Sequence, residues 1–137
     1  MTQRLLGMLG LFGLLIGLAG CSEPPYSNID NKQLKTLLAQ GAPLYDIRRP
    51  EEWRQTGVVA GSRKLTYVDA GGRPNPEFLP RIGTEVAKDA PIVLICRTGS
   101  RSRSLARELT DLGYTRVYNV RNGITRWIRD DNPVVRN

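Results

Sequence analysis

The chain contains no histidine. That absence excludes Ser-His-Asp and Cys-His catalysis, and any zinc site that needs an imidazole. Cysteine is nearly as scarce. Cys21 and Cys96 are the only two, too few for a cysteine-rich metal centre. No metal centre built on histidine or on several cysteines is expected. Acidic residues are outnumbered, 13 against 20 lysines and arginines, for a formal net charge of +7. The arginines are scattered and do not interleave with aromatic residues, so the excess reads as solvated surface and nucleic acid is not an expected partner. Internal repeats are absent, and so are low-complexity tracts beyond the N-terminus. At 137 residues the chain fits one domain with one core.

The first residues, "MTQRLLGMLGLFGLLIGLAGC", carry Arg4 and then an apolar run from Leu5 to Ala19. The run is shorter than the ~20 residues of a membrane span and suits the core of an export signal. Its end, "LAGC" from Leu18 to Cys21, resembles the bacterial lipobox. The resemblance implies cleavage before Cys21 and lipid on that cysteine. Residues 1–20 then read as a lipoprotein signal peptide, 21–28 as a tether and 29–132 as the domain. The mature protein is expected at the periplasmic side of a bacterial membrane. Ser22, where inner-membrane retention would want aspartate, implies the outer membrane rather than the inner. An uncleaved N-terminal anchor is the rival reading. With Cys21 lipidated, Cys96 is a lone thiol in an oxidising compartment, and is either buried and inert or reactive.

Along the mature chain, "SEPPYSN" reads as the tether. Asp30 or Asn31 caps a helix through Ala39 with Leu34, Leu37 and Leu38 on one face, and Gly41 ends it. "APLYDIR" is a short strand, and Pro50 opens a short helix, "PEEWRQT". Glu51 and Glu52 read as first-turn acids of that helix. "PEFLPRIGTEVAK" reads as broken helix, because Pro80 forbids one long regular piece. "APIVLIC" is consecutively apolar and mostly β-branched, as in a strand buried on both faces of a parallel sheet. "SLARELTDLGY" follows as a helix with Leu105, Leu109 and Leu112 at helical spacing. "RVYNV" is a strand, and "GITRWIRDDNP" a last helix ended by Pro133. Alternating strands and helices predict an α/β fold with a central parallel sheet of about five strands and helices on both faces.

This order puts Cys96 at the carboxyl end of a central strand, where open α/β sheets bind ligands. The loop "CRTGSRS" then leads into a helix expected to start near Arg101 or Ser102, whose free N–H groups attract anions. Gly99 permits a positive φ, so that successive N–H groups of the loop, Arg97 to Ser102, can curl inward as a nest. Ser100 or Ser102 can cap the helix or donate to an anion. Arg97 and Arg101 add fixed positive charge. All these groups favour thiolate over thiol.

Three segments resemble the rhodanese family of sulfurtransferases: "YDIRRPEEW", "PIVLICRTGSRSRSLARELTDLGY" with its C-x-x-G-x-R loop, and "VYNVRNGITRW". The resemblance spans about residues 28 to 131. It implies a rhodanese-like fold, with Cys96 as the nucleophile that takes a sulfane sulfur and holds it as a persulfide. Arg97, Thr98, Gly99, Ser100, Arg101 and Ser102 would cradle a small sulfur-containing anion such as thiosulfate, and a thiol protein is one possible acceptor. Asp46 and Arg48 match the family's Asp-x-Arg segment and read as supporting structure, the acid near the loop and paired with an arginine. The family often carries histidine where Val58 stands. Related phosphatases place five residues between cysteine and arginine; here four intervene before Arg101, and Ser102 holds the phosphatase arginine's position. Two non-catalytic readings stand beside the enzyme: a persulfide or redox-sensing module that docks a periplasmic partner, and a structural domain with an inert cysteine.

Overall fold

A computed structural model describes residues 22–136. The expected export signal and Cys21 lie outside the described residues. Five strands form one parallel sheet: β1 (Ser27–Ile29), β2 (Leu44–Asp46), β3 (Arg63–Lys64), β4 (Pro91–Ile95) and β5 (Arg116–Val120), in the order β1-β5-β4-β2-β3. The helices are α1 (Asn31–Ala39), α2 (Pro50–Thr56), α3 (Phe78–Glu85), α4 (Ser100–Asp111) and α5 (Gly123–Arg129).

The central strand explains both layers. Successive side chains of β4 point to opposite faces. Ile92, Leu94 and then Cys96 join the apolar cluster of Phe78, Ile82, Leu105 and Leu109, under α3 and α4. Val93 and Ile95 join Leu34, Ile124 and Trp127, under α1 and α5. This is the both-faces-buried strand that its unbroken apolar run predicts, and its alternation decides that Cys96 faces α4.

Local chemistry accounts for most element boundaries. Asp30 caps α1 through a capping box, accepting from the Gln33 N–H while Gln33 reaches back to the Asp30 N–H. Gly41, at φ 83°, ends that helix. Pro50 sits in the first turn of α2, where its missing N–H has no partner to lose. Pro80 obeys the same rule. It is the third residue of α3, so α3 runs unbroken to Glu85, contrary to the break expected there. α5 ends before Pro133, at Arg129, where Asp131 turns to φ 59°. Leu112 lies beyond the last turn of α4 and is 46% exposed, so it leaves the apolar face expected of it.

Residues on either side of 29–132 also contact the fold. Tyr26 is buried, and Ser27 and Asn28 pair in register with Tyr118 and Asn119, so the end of the expected tether belongs to the sheet. At the other end Val135 exchanges backbone hydrogen bonds with Val58 at 2.8 and 2.9 Å. Val58, which replaces the family's frequent histidine, is buried there.

One contact ties the fold to the loop after β4. The first amides of α5 close on it: Ile124 N–H donates to the Cys96 carbonyl at 2.9 Å and Thr125 N–H to that of Arg97 at 3.1 Å. Gly123 makes this approach possible. Its φ is 58°, and a Cβ there would lie 2.4 Å from the Arg97 carbonyl oxygen. Gly123→Ala is expected to destabilise the protein by about 2 kcal/mol or more, read as a lower urea midpoint at unchanged slope.

Candidate active site

Cys96 stands at the first position beyond β4 and is 1% exposed. Two polar groups reach its sulfur. The Gly99 N–H donates to Sγ at 3.1 Å, and the Ser102 hydroxyl lies 3.3 Å from it. Gly99 is the residue that turns the chain. At φ 98° it is the N-cap of α4, so the helix starts at Ser100, one or two residues earlier than expected. That shift assigns the serines. Ser100 is exposed at the first helical position, and neither serine caps the helix. Ser102 is fully buried and faces the sulfur.

The two arginines of the loop separate. Arg97 and Thr98 are exposed. Arg101 turns to α2, where its two terminal nitrogens meet the Glu52 carboxylate at 2.8 and 2.7 Å. The paired geometry is of the strong, bidentate kind. Arg101 still stands near enough to Cys96 to feel its charge, and its own proton affinity is raised, first by the bond to Glu52. The groups in hydrogen-bonding range of the sulfur are therefore a neutral amide and a neutral hydroxyl, and Arg101 forms the wall of the mouth. A hollow of about 380 Å³ opens there, lined by Arg48, Arg49, Glu52, Thr56, Arg97 and Arg101. A second, of about 290 Å³, lies across the loop against Gly99, Arg103, Asn119 and Arg121.

Asp46 and Arg48 pair with each other, and both are completely buried. Arg48 Nε and a terminal nitrogen meet the carboxylate at 2.9 and 2.8 Å. Its remaining donors hold the end of α2, at the Gly57 carbonyl (3.0 Å) and the Thr56 hydroxyl (2.9 Å). Trp53 donates its indole N–H to Asp46 at 3.0 Å. These residues position α2, and through it Glu52.

Compared with known proteins, residues 30–130 match the family described as Rhodanese-like domain. The chain belongs to the rhodanese-like domain family. It is 33% identical over 111 residues to a protein of Allochromatium vinosum named Sulfurtransferase, covering 80% of this chain and 94% of that one. It is 29% identical over 100 residues to thiosulfate sulfurtransferase 16, chloroplastic, of Arabidopsis thaliana, over 71% of this chain and 82% of the relative. The crystal structure of a rhodanese-related protein from Thermoplasma volcanium shares the fold with a TM-score of 0.64 at 26% identity, over 82% of this chain and all of that one.

Within this rhodanese-like domain, three residues of the site escape a reading of the sequence. Glu52 looks like an ordinary first-turn acid. Gly123 is visible only as the second residue of an Asn-Gly pair. Asn119 is a polar side chain between Tyr118 and Val120 in β5, and that is its one signal.

Glu52 also gives the site a pH dependence. The hydrogen bonds from Arg101, opposed by burial and aided by the Arg49 N–H and both arginine charges, hold its carboxyl at about 2 against an ordinary 4.5. A carboxyl depressed on folding adds stability that is complete above the unfolded value and lost as pH falls through the folded one. Thermal melts should therefore show Glu52→Gln less stable than the wild type at pH 7, with the gap closing between pH 4.5 and 2. A gap that stays constant over that range would contradict the pairing.

Proposed function

We propose that this chain is a sulfurtransferase that carries one sulfane sulfur on Cys96, with thiosulfate as a donor. The observation that carries the reading is the sulfur's setting. A buried Sγ with an N–H donor at 3.1 Å and, at 3.3 Å, a hydroxyl able to turn its proton to sulfur, beside the start of α4, can hold a sulfur anion. In the first step the Cys96 thiolate attacks the outer sulfur of thiosulfate. A new S–S bond forms, the old one breaks, and sulfite leaves with its electron pair. In the second step a nucleophile such as cyanide or a protein thiolate takes the outer sulfur. The electron pair of the broken bond then returns to Cys96 as thiolate. No external oxidant or reductant enters the cycle, and splitting the transfer in two is ordinary covalent catalysis.

Arg97 and Arg101 stand at the mouth, and their charge favours the approach of a dianion. The deep burial of Cys96 favours a second reading, in which the loaded sulfur is stored for a docked partner instead of being turned over freely. We also place the protein at the periplasmic face of a membrane through lipid on Cys21, at the outer membrane by Ser22. The lipobox-like "LAGC" and the apolar run before it support this placement.

Two experiments test these readings. After incubation with thiosulfate, the intact mass should rise by roughly 32 Da, one sulfur, and Cys96→Ala should abolish the gain. No gain from thiosulfate or any other sulfane donor would end the sulfurtransferase reading. A stable gain without turnover on cyanide or thiols would move the assignment to storage. Separately, in a bacterium that processes lipoproteins, the wild type should sediment with membranes and Cys21→Ala should not. Wild type in the soluble fraction would remove the anchor.

A further inference from the structure

Asn119 has no part in the two transfers, yet it is almost fully buried one residue away from the sulfur's own ligand. Its Oδ1 lies 2.5 Å from the Ser102 hydroxyl, and its Nδ2 donates to Asn28 Oδ1 at 2.9 Å. Ser102 lies 3.3 Å from the Cys96 sulfur on its other side. The three side chains form a line from the sulfur to β1.

A hydroxyl has one proton to give. With Asn119 Oδ1 turned towards it at 2.5 Å, the nearer of its two partners, Ser102 gives that proton to Asn119 and presents lone pairs to the sulfur. That suits a neutral thiol, whose S–H can point at Oγ. A thiolate or persulfide anion instead requires a donor. Were Ser102 alone to turn its proton to sulfur, two oxygen atoms would face each other at 2.5 Å with no hydrogen between them. Asn119 Oδ1 would also be left buried without a donor, a penalty of about 1–3 kcal/mol. Turning the Asn119 amide over removes the conflict. Nδ2 then donates to Ser102, and Oδ1 faces Asn28. Asn28 is half-buried on an edge strand beside the second hollow, where its own amide is free to turn and donate.

We infer that Asn28, Asn119 and Ser102 form a hydrogen-bond relay that reverses direction with the charge on Cys96, with Asn119 as its positioning residue. The relay depends on the sulfur-transfer reading only for its use; its working is read on the thiol itself. The charged groups around the thiol are already committed. Arg101 of α4 is held by Glu52 of α2, and Asp46 of β2 by Arg48. Arg97 stands exposed at the rim, and Arg103 and Arg121 line the hollow at the relay's outer end. The neutral relay is therefore what distinguishes the two charge states at close range.

The test is the rate of Cys96 alkylation by iodoacetamide against pH, in the full chain, read by mass spectrometry on the peptide that carries Cys96. Aspartate at 119 accepts but cannot donate. Asn119→Asp should raise the midpoint by about one pH unit or more, so that the rate at lower pH drops about tenfold. Asn28→Asp, at a half-buried edge position, keeps the test decisive if the first variant fails to fold. It fixes the Asn119 amide as donor to itself, and should raise the midpoint in the same direction by less. Ser102→Ala removes the link, so in that background Asn28→Asp should shift nothing. Unchanged midpoints in the aspartate variants overturn the relay. So does an Asn28→Asp shift that persists undiminished with Ser102→Ala, since it would then be charge alone. Thiosulfate loading is measured on the same samples. Failure of the wild type to load would overturn the sulfur-transfer reading while leaving the alkylation result to decide the relay.

Discussion

The mouth of this site depends on an ion pair that never meets water. Asp46 and Arg48 are completely buried, and burying either charge alone costs several kcal/mol. They are tolerable because every strong donor of the guanidinium has an acceptor: the carboxylate, the end of α2 and the Thr56 hydroxyl. The pair is a poor source of net stability. What it supplies is position. It holds α2 against the carboxyl end of β2, and from α2 Glu52 reaches Arg101. α2 and α4 are thereby joined across the opening to the sulfur by one chain of charges.

That chain changes how the absence of histidine should be understood. Without an imidazole, arginine is the obvious activator of Cys96, and two flank the loop. The structure commits Arg101 to a carboxylate and leaves Arg97 at the exposed rim. The groups in hydrogen-bonding range of the sulfur are an amide and a hydroxyl. Fixed cations so close would favour one charge state of the sulfur at every stage. A hydroxyl can donate or accept, and so can follow the sulfur as its state changes.

What the sequence reveals and what it hides divide along a physical line. The alternation in β4, the Asp30 cap and the placement of Cys96 at a strand end are local, set by residues within a few positions of one another. The five-strand parallel sheet follows from such signals strung in order. Pro80 was readable too, once its place in the first turn is counted rather than its mere presence. Glu52 and Arg101 are different. They lie 49 residues apart, and nothing near either one announces the other. Asn119 and Ser102 meet across two elements, and Tyr26 joins the core from a segment whose prolines suggest a tether. Contacts of this kind are products of the fold and carry no local pattern.

The geometry of the loop follows from carbonyls as much as from donors. A nest of N–H groups can face an anion only if the carbonyls of the same residues point elsewhere and are satisfied there. Here α5 performs that task, taking the carbonyls of Cys96 and Arg97 with its first amides. Gly99 and Gly123 let the backbones meet: a Cβ on Gly99 would lie 3.2 Å from the Asn122 nitrogen, and one on Gly123 would overlap the Arg97 carbonyl. Since α4 supplies the donors from one face of the sheet and α5 holds the carbonyls from the other, neither layer alone defines the sulfur's surroundings. Both helices hold the short loop, and that lets the direction in which Ser102 points its one proton matter to the sulfur.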